Sequence, residues 1–267
     1  MGRRQHPTPR TSKRERSRMD RAERTSAVVI PSTYKPQPIQ RLEPKTNNQR
    51  KAIEYLEDGY PVVFLTGSAG TGKSMIAAWW AAKLLNSKKI NKVYLVRPAV
   101  AVGKSIGLLP GEIEEKLAPY FAQTIEHLSK FLGKADVEGK LGCKTIEMQP
   151  VEYLRGRSFE NCVVLVEESQ NLTSDEMEMM LTRLGEGATF IFTGDQKQND
   201  LNGASGLSYT LKLFNRMLSS KPEYLTQEDF DELDDGYACV EFTPNDVVRR
   251  GLTKAFVKVF YHNGEKP

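Results

Sequence analysis

Cysteine is scarce: Cys143, Cys162 and Cys239 are the three in 267 residues. Odd in number and widely separated, they match no disulfide framework and no paired metal-ligand spacing, which points to reduced thiols and a cytoplasmic setting. Long apolar runs are missing as well. No stretch approaches the roughly 20 residues that a membrane-spanning helix needs, and the N-terminus lacks the apolar core of a secretory signal. A membrane is therefore not an expected partner. No internal repeat is evident either. What remains, with 39% hydrophobic and 27% charged residues, is the composition of a soluble globular chain long enough for one sizeable core.

Positive charge is unevenly placed. Residues 1–24 hold nine of the 38 basic residues but three of the 34 acidic ones, so the net +4 of the chain becomes −2 once this tail is set aside. The tail "MGRRQHPTPRTSKRERSRMDRAER" has too few apolar residues to bury a core of its own. Such an arm attracts phosphate backbones by counterion release, without sequence preference; a solvated leader with no partner is the competing reading. Residues 25–45, with Pro31, Pro36, Pro38 and Pro44, read as an extended lead-in. The expected division is a basic, proline-containing, largely disordered leader over 1–45 and one folded domain over 46–267.

From residue 46 the pattern alternates helices and strands. "NNQRKAIEYLEDG" has apolar residues at helical spacing and a glycine stop. "PVVFLTG" is a continuous apolar strand, and "KSMIAAWWAAKLLN" is apolar nearly all round, the mark of a buried helix. "KVYLVRP", "CVVLVEE", "ATFIFTGD" and "YACVEFT" predict further strands; "TSDEMEMMLTRLG", "ASGLSYTLKLFNRML" and "DVVRRGLTKAFVKVFYH" predict further helices. Short apolar strands separated by helices indicate an α/β fold: a parallel sheet covered by helices on both faces. Ligands bind such sheets at the carboxyl ends of the strands, so the loops after "VFLTG", "LVEE" and "FTGD" should share one crevice.

The first of these loops is "GSAGTGKS", Gly67, Ser68, Ala69, Gly70, Thr71, Gly72, Lys73 and Ser74. It matches G-x-x-x-x-G-K-[ST] in full and lies between a strand and a helix, the context the motif requires. Glycines let backbone amides wrap phosphates at the positive end of a helix. Lys73 is expected at the β- and γ-phosphates and Ser74 on Mg²⁺. The chain therefore reads as a P-loop NTPase that takes a nucleoside triphosphate with Mg²⁺. Glu167 and Glu168 end a second buried strand. Glu167 is expected on the metal side, through a coordinated water, and Glu168 as the general base that polarises the attacking water. Gln170 and Asn171 are suited to sensing the phosphate, and Asp195 and Gln198, after the "FIFTGD" strand, are candidates to contact the γ-phosphate or that water.

Together "GSAGTGKS", "RPAVAVGKSIGLLPG", "PVEYLRGRSFENCVVLVEESQN", "LTRLGEGATFIFTGDQKQNDL" and "DVVRR" resemble the PhoH family of ATPases, which is similar to the first RecA-like domain of superfamily-one helicases. The resemblance implies a RecA-like sheet and an ATPase. It puts Glu167 where the family usually has aspartate, matches Gln198 to the glutamine of a G-D-x-x-Q element, and matches Arg249 to the arginine of a D-V-V-R-H element, with Arg250 in place of the histidine. Arg249 is then a candidate to stabilise transition-state charge. Gln49 lies where helicases use a glutamine to read adenine, which favours ATP. The "RPAVAVGKSIGLLPG" element resembles one that contacts nucleic-acid backbone in helicases, with Arg97 and Lys104 supplying charge and Gly103 and Gly107 an adaptable loop; Arg155 and Arg157 form a second basic spot.

One motor domain accounts for the residues after 46, and a second wall for the nucleotide cleft has to come from a neighbouring subunit. A homo-oligomeric ring is the expectation, and the resemblance points to a homohexamer acting on RNA or single-stranded nucleic acid. The alternative is a nucleotide-dependent assembly switch, in which Glu167 weakens hydrolysis.

Overall fold

The computed structural model describes residues 38–98, 113–198, 200–201, 204–248 and 251–262, with the side chains of 113–115, 261 and 262 left aside. Its elements are α1 (Asn47–Glu57), β1 (Val62–Gly67), α2 (Lys73–Asn86), β2 (Lys92–Arg97), α3 (Ile113–Leu132), α4 (Lys134–Gly142), β3 (Ile146–Pro150), β4 (Cys162–Val166), α5 (Ser174–Leu181), β5 (Thr189–Gly194), α6 (Gly206–Ser219), α7 (Gln227–Gly236), β6 (Tyr237–Phe242) and α8 (Leu252–His262). Short 3-10 turns cover Val151–Leu154, Ser169–Asn171 and Pro244–Asp246.

Six strands form one sheet in the order β3-β2-β4-β5-β1-β6, and every pair is parallel. All six therefore end at the same edge. β1 and β4 are buried at every position, which is why they appear in the sequence as unbroken apolar runs rather than alternating ones. Alternate residues serve opposite faces. Val63 and Leu65 join a core with Ile53 of α1, Trp79 of α2 and Phe121 of α3. Val62 and Phe64 join the other with Met177 and Met180 of α5 and Leu207 of α6. Helices thus cover both faces, as the alternating pattern predicts.

Local chemistry sets the helix ends. Thr46 caps α1 by accepting from the Gln49 amide. Thr173 and Glu176 form a reciprocal capping box at α5, the sequence signature of a helix start. α2 begins and ends where the apolar run does, at Lys73 and Asn86. The C-terminal stretch differs from the expected single helix. Pro244–Asp246 forms its own 3-10 turn, closed by a Thr243–Asp246 capping box, and α8 starts only after Gly251, whose φ of 67° interrupts a right-handed helix.

The last residues of the lead-in, from Pro38, belong to the body. Ile39 and Leu42 pack against the first core, Trp79 Nε1 donates to the Gln40 carbonyl at 2.9 Å, and Arg41 pairs with Glu57 at 2.7 Å. The rest of the leader, 1–37, lies outside the described residues. No helix among the described residues is long and apolar enough to cross a membrane.

Phe64 stacks on Phe192 with ring centroids 5.0 Å apart and meets Phe214 edge-on at 6.3 Å. Both Phe64 and Phe192 are fully buried. Phe64→Ala removes the ring that joins β1, β5 and α6, and should cost about 3–5 kcal/mol of stability, read as a lower midpoint in urea unfolding.

Candidate functional site

The phosphate loop leaves β1 at Gly67. Here φ is 109°, and a Cβ would sit 1.9 Å from the Phe242 carbonyl oxygen. Only glycine permits this approach of two backbones. At the other end of the loop Gly72 takes φ 94° and stands immediately before α2. A Cβ on it would meet Gln49 Nε2 at 3.0 Å. Gln49 is buried and braces the loop: its Nε2 donates to the Thr71 carbonyl at 2.8 Å, and its Oε1 accepts from the Lys45 amide at 2.7 Å. Expected as an adenine reader, Gln49 is seen joining the lead-in to the phosphate loop.

Lys73 Nζ folds back on the carbonyls of Gly67 and Ser68, at 2.6 and 2.8 Å. Burial pushes its ammonium down to about 8, against the field of Asp195 and Glu168, which favours the charge. The Ser68 hydroxyl is buried without a hydrogen-bond partner. A buried cation and an unsatisfied hydroxyl beside a turn of glycines fit an anionic ligand.

Glu168 sits past the end of β4 with φ 52°, a left-handed conformation that costs a non-glycine residue energy and is found at functional sites. Gln170 holds its carboxylate: Nε2 donates to Glu168 Oε2 at 2.7 Å and to the Gln198 carbonyl at 3.4 Å. The same side chain accepts from the Asp195 amide at 3.1 Å. Gln198 Nε2 donates to Asp195 Oδ2 at 3.0 Å. Asn171 pairs with Asp200 in both directions, at 3.2 and 2.9 Å. Gln170 and Asn171 thus tie the tip of β4 to the loop after β5. Glu168, Gln198, Asp195 and Lys73 are brought to one cavity of about 590 Å³, with Gln49, Ser74 and Glu167 also in its wall.

Glu167 is placed differently from the expectation. Its Oε2 accepts from Arg97 Nε at 3.1 Å and Nη2 at 2.8 Å, and its Oε1 accepts from the Thr124 hydroxyl. Only 7% of its side chain and 15% of that of Arg97 remain exposed. The guanidinium also lies 5.5 Å from the ring centroid of Phe121 on α3. Arg97, expected to supply charge to a nucleic-acid backbone, is turned inward because a buried carboxylate needs a counter-charge. Removing one partner of such a pair typically costs about 3–5 kcal/mol. Of the second basic spot, Arg157 pairs with Glu147 at 3.3 Å and Arg155 is exposed. Gly103, Lys104, Gly107, Arg249 and Arg250 lie outside the described residues.

Sequence reasoning missed the α3 wall. Gln123 and His127, one turn apart, line the cavity with Lys130 and Phe131. His127 Nδ1 is buried without a partner, and burial and Lys130 hold its pKa below the usual histidine range, partly opposed by Glu167 and Glu126. The i, i+4 spacing of Gln123 and His127 is a signal, but only the packing of α3 on α2 says which face of the helix lines the cavity.

The lowered Lys73 pKa makes the stability of the empty protein depend on pH. Between about 8 and the ordinary 10.5 the unfolded chain holds this proton and the folded one does not, so stability rises with pH. The gain from this group is on the order of 3 kcal/mol. Lys73→Met should be the more stable protein near neutral pH, with the gap closing as pH approaches the upper value, as urea unfolding of both across that range would show.

The family model described as PhoH-like protein matches residues 41–261. A PhoH-like protein of Mycobacterium tuberculosis is 33% identical over 221 residues, covering 82% of this chain and 58% of that protein. A PhoH-like protein of Bacillus subtilis is 35% identical over 216 residues, covering 81% and 63%, and protein PhoH of Escherichia coli is 42% identical over 168 residues, covering 61% and 46%. The chain spans about half to three fifths of the length of these relatives. Among solved structures, the Sulfolobus solfataricus SWI2/SNF2 ATPase core in complex with dsDNA aligns over 77% of this chain and 46% of that one, at 15% identity and a TM-score of 0.38. The Pif1 helicase from Candida albicans aligns over 76% and 41%, at 14% identity and a TM-score of 0.31. Likeness at that level carries no argument; the family match covers most of the chain, and the chain belongs to the PhoH-like protein family.

Proposed function

We propose that this chain binds and hydrolyses ATP, and that turnover is coupled to RNA or single-stranded nucleic acid in a homo-oligomeric ring. The observation that carries the hydrolytic part is the meeting of Lys73 and Glu168 in one crevice. The ammonium is buried on the phosphate loop, and the carboxylate is held by Gln170 at 2.7 Å. Lys73 would leave the Gly67 and Ser68 carbonyls for the β- and γ-phosphates. Glu168, oriented by Gln170, would take a proton from the attacking water. Gln198, bonded to Asp195, would orient that water or the γ-phosphate, and Arg249 is retained as a candidate for transition-state charge.

The residues present also fit Mg²⁺ carried in with the nucleotide. Among the described residues no group of three or more His, Cys, Asp or Glu forms a metal cage, and Mg²⁺ in such sites relies on phosphates and one or two protein groups. Ser74, in the first turn of α2, would hold it, with Glu168 and Asp195 near. When bound, Mg²⁺ supplies neutralisation of phosphate charge.

The nucleic-acid part rests on the basic residues of 1–24, and the ring on α8. Leu252, Phe256, Val259 and Phe260 are exposed there, and α8 follows Val248, whose amide donates to the Gly70 carbonyl at 3.4 Å. An exposed apolar helix face that starts four residues after Val248, a residue of the cavity wall, suits a subunit contact. One observation favours the second reading, an ATP-dependent assembly switch with weak hydrolysis: Glu167 is already occupied by Arg97.

Glu168→Gln should lower phosphate release by a factor of about 10²–10⁴ while ATP affinity stays close to wild type. Normal turnover in this variant would remove Glu168 as the base. ATP binding by the wild type without hydrolysis, unaffected by single-stranded RNA, would favour the switch.

A further inference from the structure

We propose that Glu167 is a positioning residue rather than a metal ligand: clamped by Arg97 and Thr124, it ties the tips of β2 and β4 to α3 and so holds Glu168 over the phosphate site. The inference rests on the nucleotide-site reading above and concerns how that site is built.

Three observations carry it. Both Glu167 oxygens are engaged, Oε2 by two donors of one guanidinium and Oε1 by a hydroxyl. The pair is almost wholly buried, and Arg97 is backed by the Phe121 ring, so taking Glu167 away would strand a guanidinium whose hydrogen-bond acceptor among the described residues is Glu167. The direction of the carboxylate agrees. Asp195 and Glu168 are the carboxylates whose field reaches Lys73, whereas that of Glu167 reaches His127 on α3. The acid lines the cavity wall, yet both its oxygens are committed to the neighbouring strand tip and the flanking helix.

The extra methylene relative to aspartate now has a physical account. β4 and β2 are adjacent, with Val96 beside Val166 in register; the residues that follow are Arg97, the last of β2, and Glu167, just past the end of β4. A carboxylate that must reach both the neighbouring strand tip and a helix packed on the sheet needs the longer side chain. A shorter acid would drop at least one of these contacts, and Glu168, the following residue, would lose the fixed point from which its left-handed backbone starts. The clamp also leaves two uncompensated carboxylates, Glu168 and Asp195, rather than three facing Lys73 and an incoming metal.

The test compares Glu167→Asp, Ser74→Ala and the double variant Arg97→Met/Glu167→Met with wild type. Thermal unfolding is measured in EDTA without nucleotide, Mg²⁺ is titrated against ADP binding, and kcat and KM for ATP are determined. A clamp predicts that Glu167→Asp lowers the metal-free melting temperature by several degrees. It also predicts a kcat at least tenfold lower at an unchanged KM, with the Mg²⁺ midpoint within twofold of wild type. The double variant, which replaces both charges, should melt closer to wild type than Glu167→Asp and keep the same Mg²⁺ midpoint, while Ser74→Ala shifts that midpoint at least tenfold. A neutral metal-free melt for Glu167→Asp together with a Mg²⁺ midpoint moved fivefold or more, there or in the double variant, would overturn the inference in favour of metal ligation. Failure of wild type to bind ADP would instead remove the nucleotide-site reading, and the metal-free melts would still decide whether the clamp exists.

Discussion

Everything at the candidate site follows from the backbone contact between Gly67 and Phe242. β1 lies between β5 and β6, and Gly67 stands in register with Phe242, at the point where both strands end. With no side chain on Gly67 the Phe242 carbonyl closes on the start of the phosphate loop and accepts from the Ser68 amide at 3.3 Å. That approach sets the direction in which the loop leaves the sheet. It also joins the loop to the turn after β6, where Val248 reaches the Gly70 carbonyl and Asp246 receives Asn48 of α1 at 2.8 Å. The loop is therefore held from β1, from β6 and, through Gln49, from α1.

On the other side of β1 the charges divide into two groups. Lys73, Glu168 and Asp195 share a field in the crevice, and Gln170 connects them by spending both ends of its amide on the tips of β4 and β5. A Cβ on Gly194 would come within 2.6 Å of Gln170 Oε1, so the glycine ending β5 is what admits the amide. Arg97 and Glu167 form the second group, paired and buried one strand further out. In a low-dielectric setting a carboxylate with its own cation adds little net field to its neighbours, which keeps the first group small in charge and suited to an anion with a divalent metal.

The parts of the fold legible in the sequence are those with one unambiguous period. β1, β4 and β5 read as apolar runs because both faces of the sheet are covered, and α2 reads as helix because it is buried on nearly all sides. β3 was not legible: "IEMQP" alternates buried and half-buried residues over five positions, too short to separate from a loop. Nor were α3 and α4, whose apolar residues gain meaning only against α2 and β3. The extension of the C-terminal helix back through "DVV" failed because Asp246 closes a separate turn, a local hydrogen bond that competes with helix.

The same division holds for the site. Local sequence by itself determined that an anion-binding loop follows β1, that an acid pair follows β4 and that a polar loop follows β5, since each rests on residue types at fixed spacing along one segment. The parallel order of the strands decided that these three ends meet. Where each carboxylate points was settled by tertiary structure alone. Glu167 and Glu168 are neighbours in the chain with the same side chain, yet one turns to Arg97 and Thr124, 70 and 43 residues away, and the other is held by Gln170 beside the phosphate loop. The direction of a charged side chain follows from which counter-charge packing brings within reach, and no spacing along the chain encodes that.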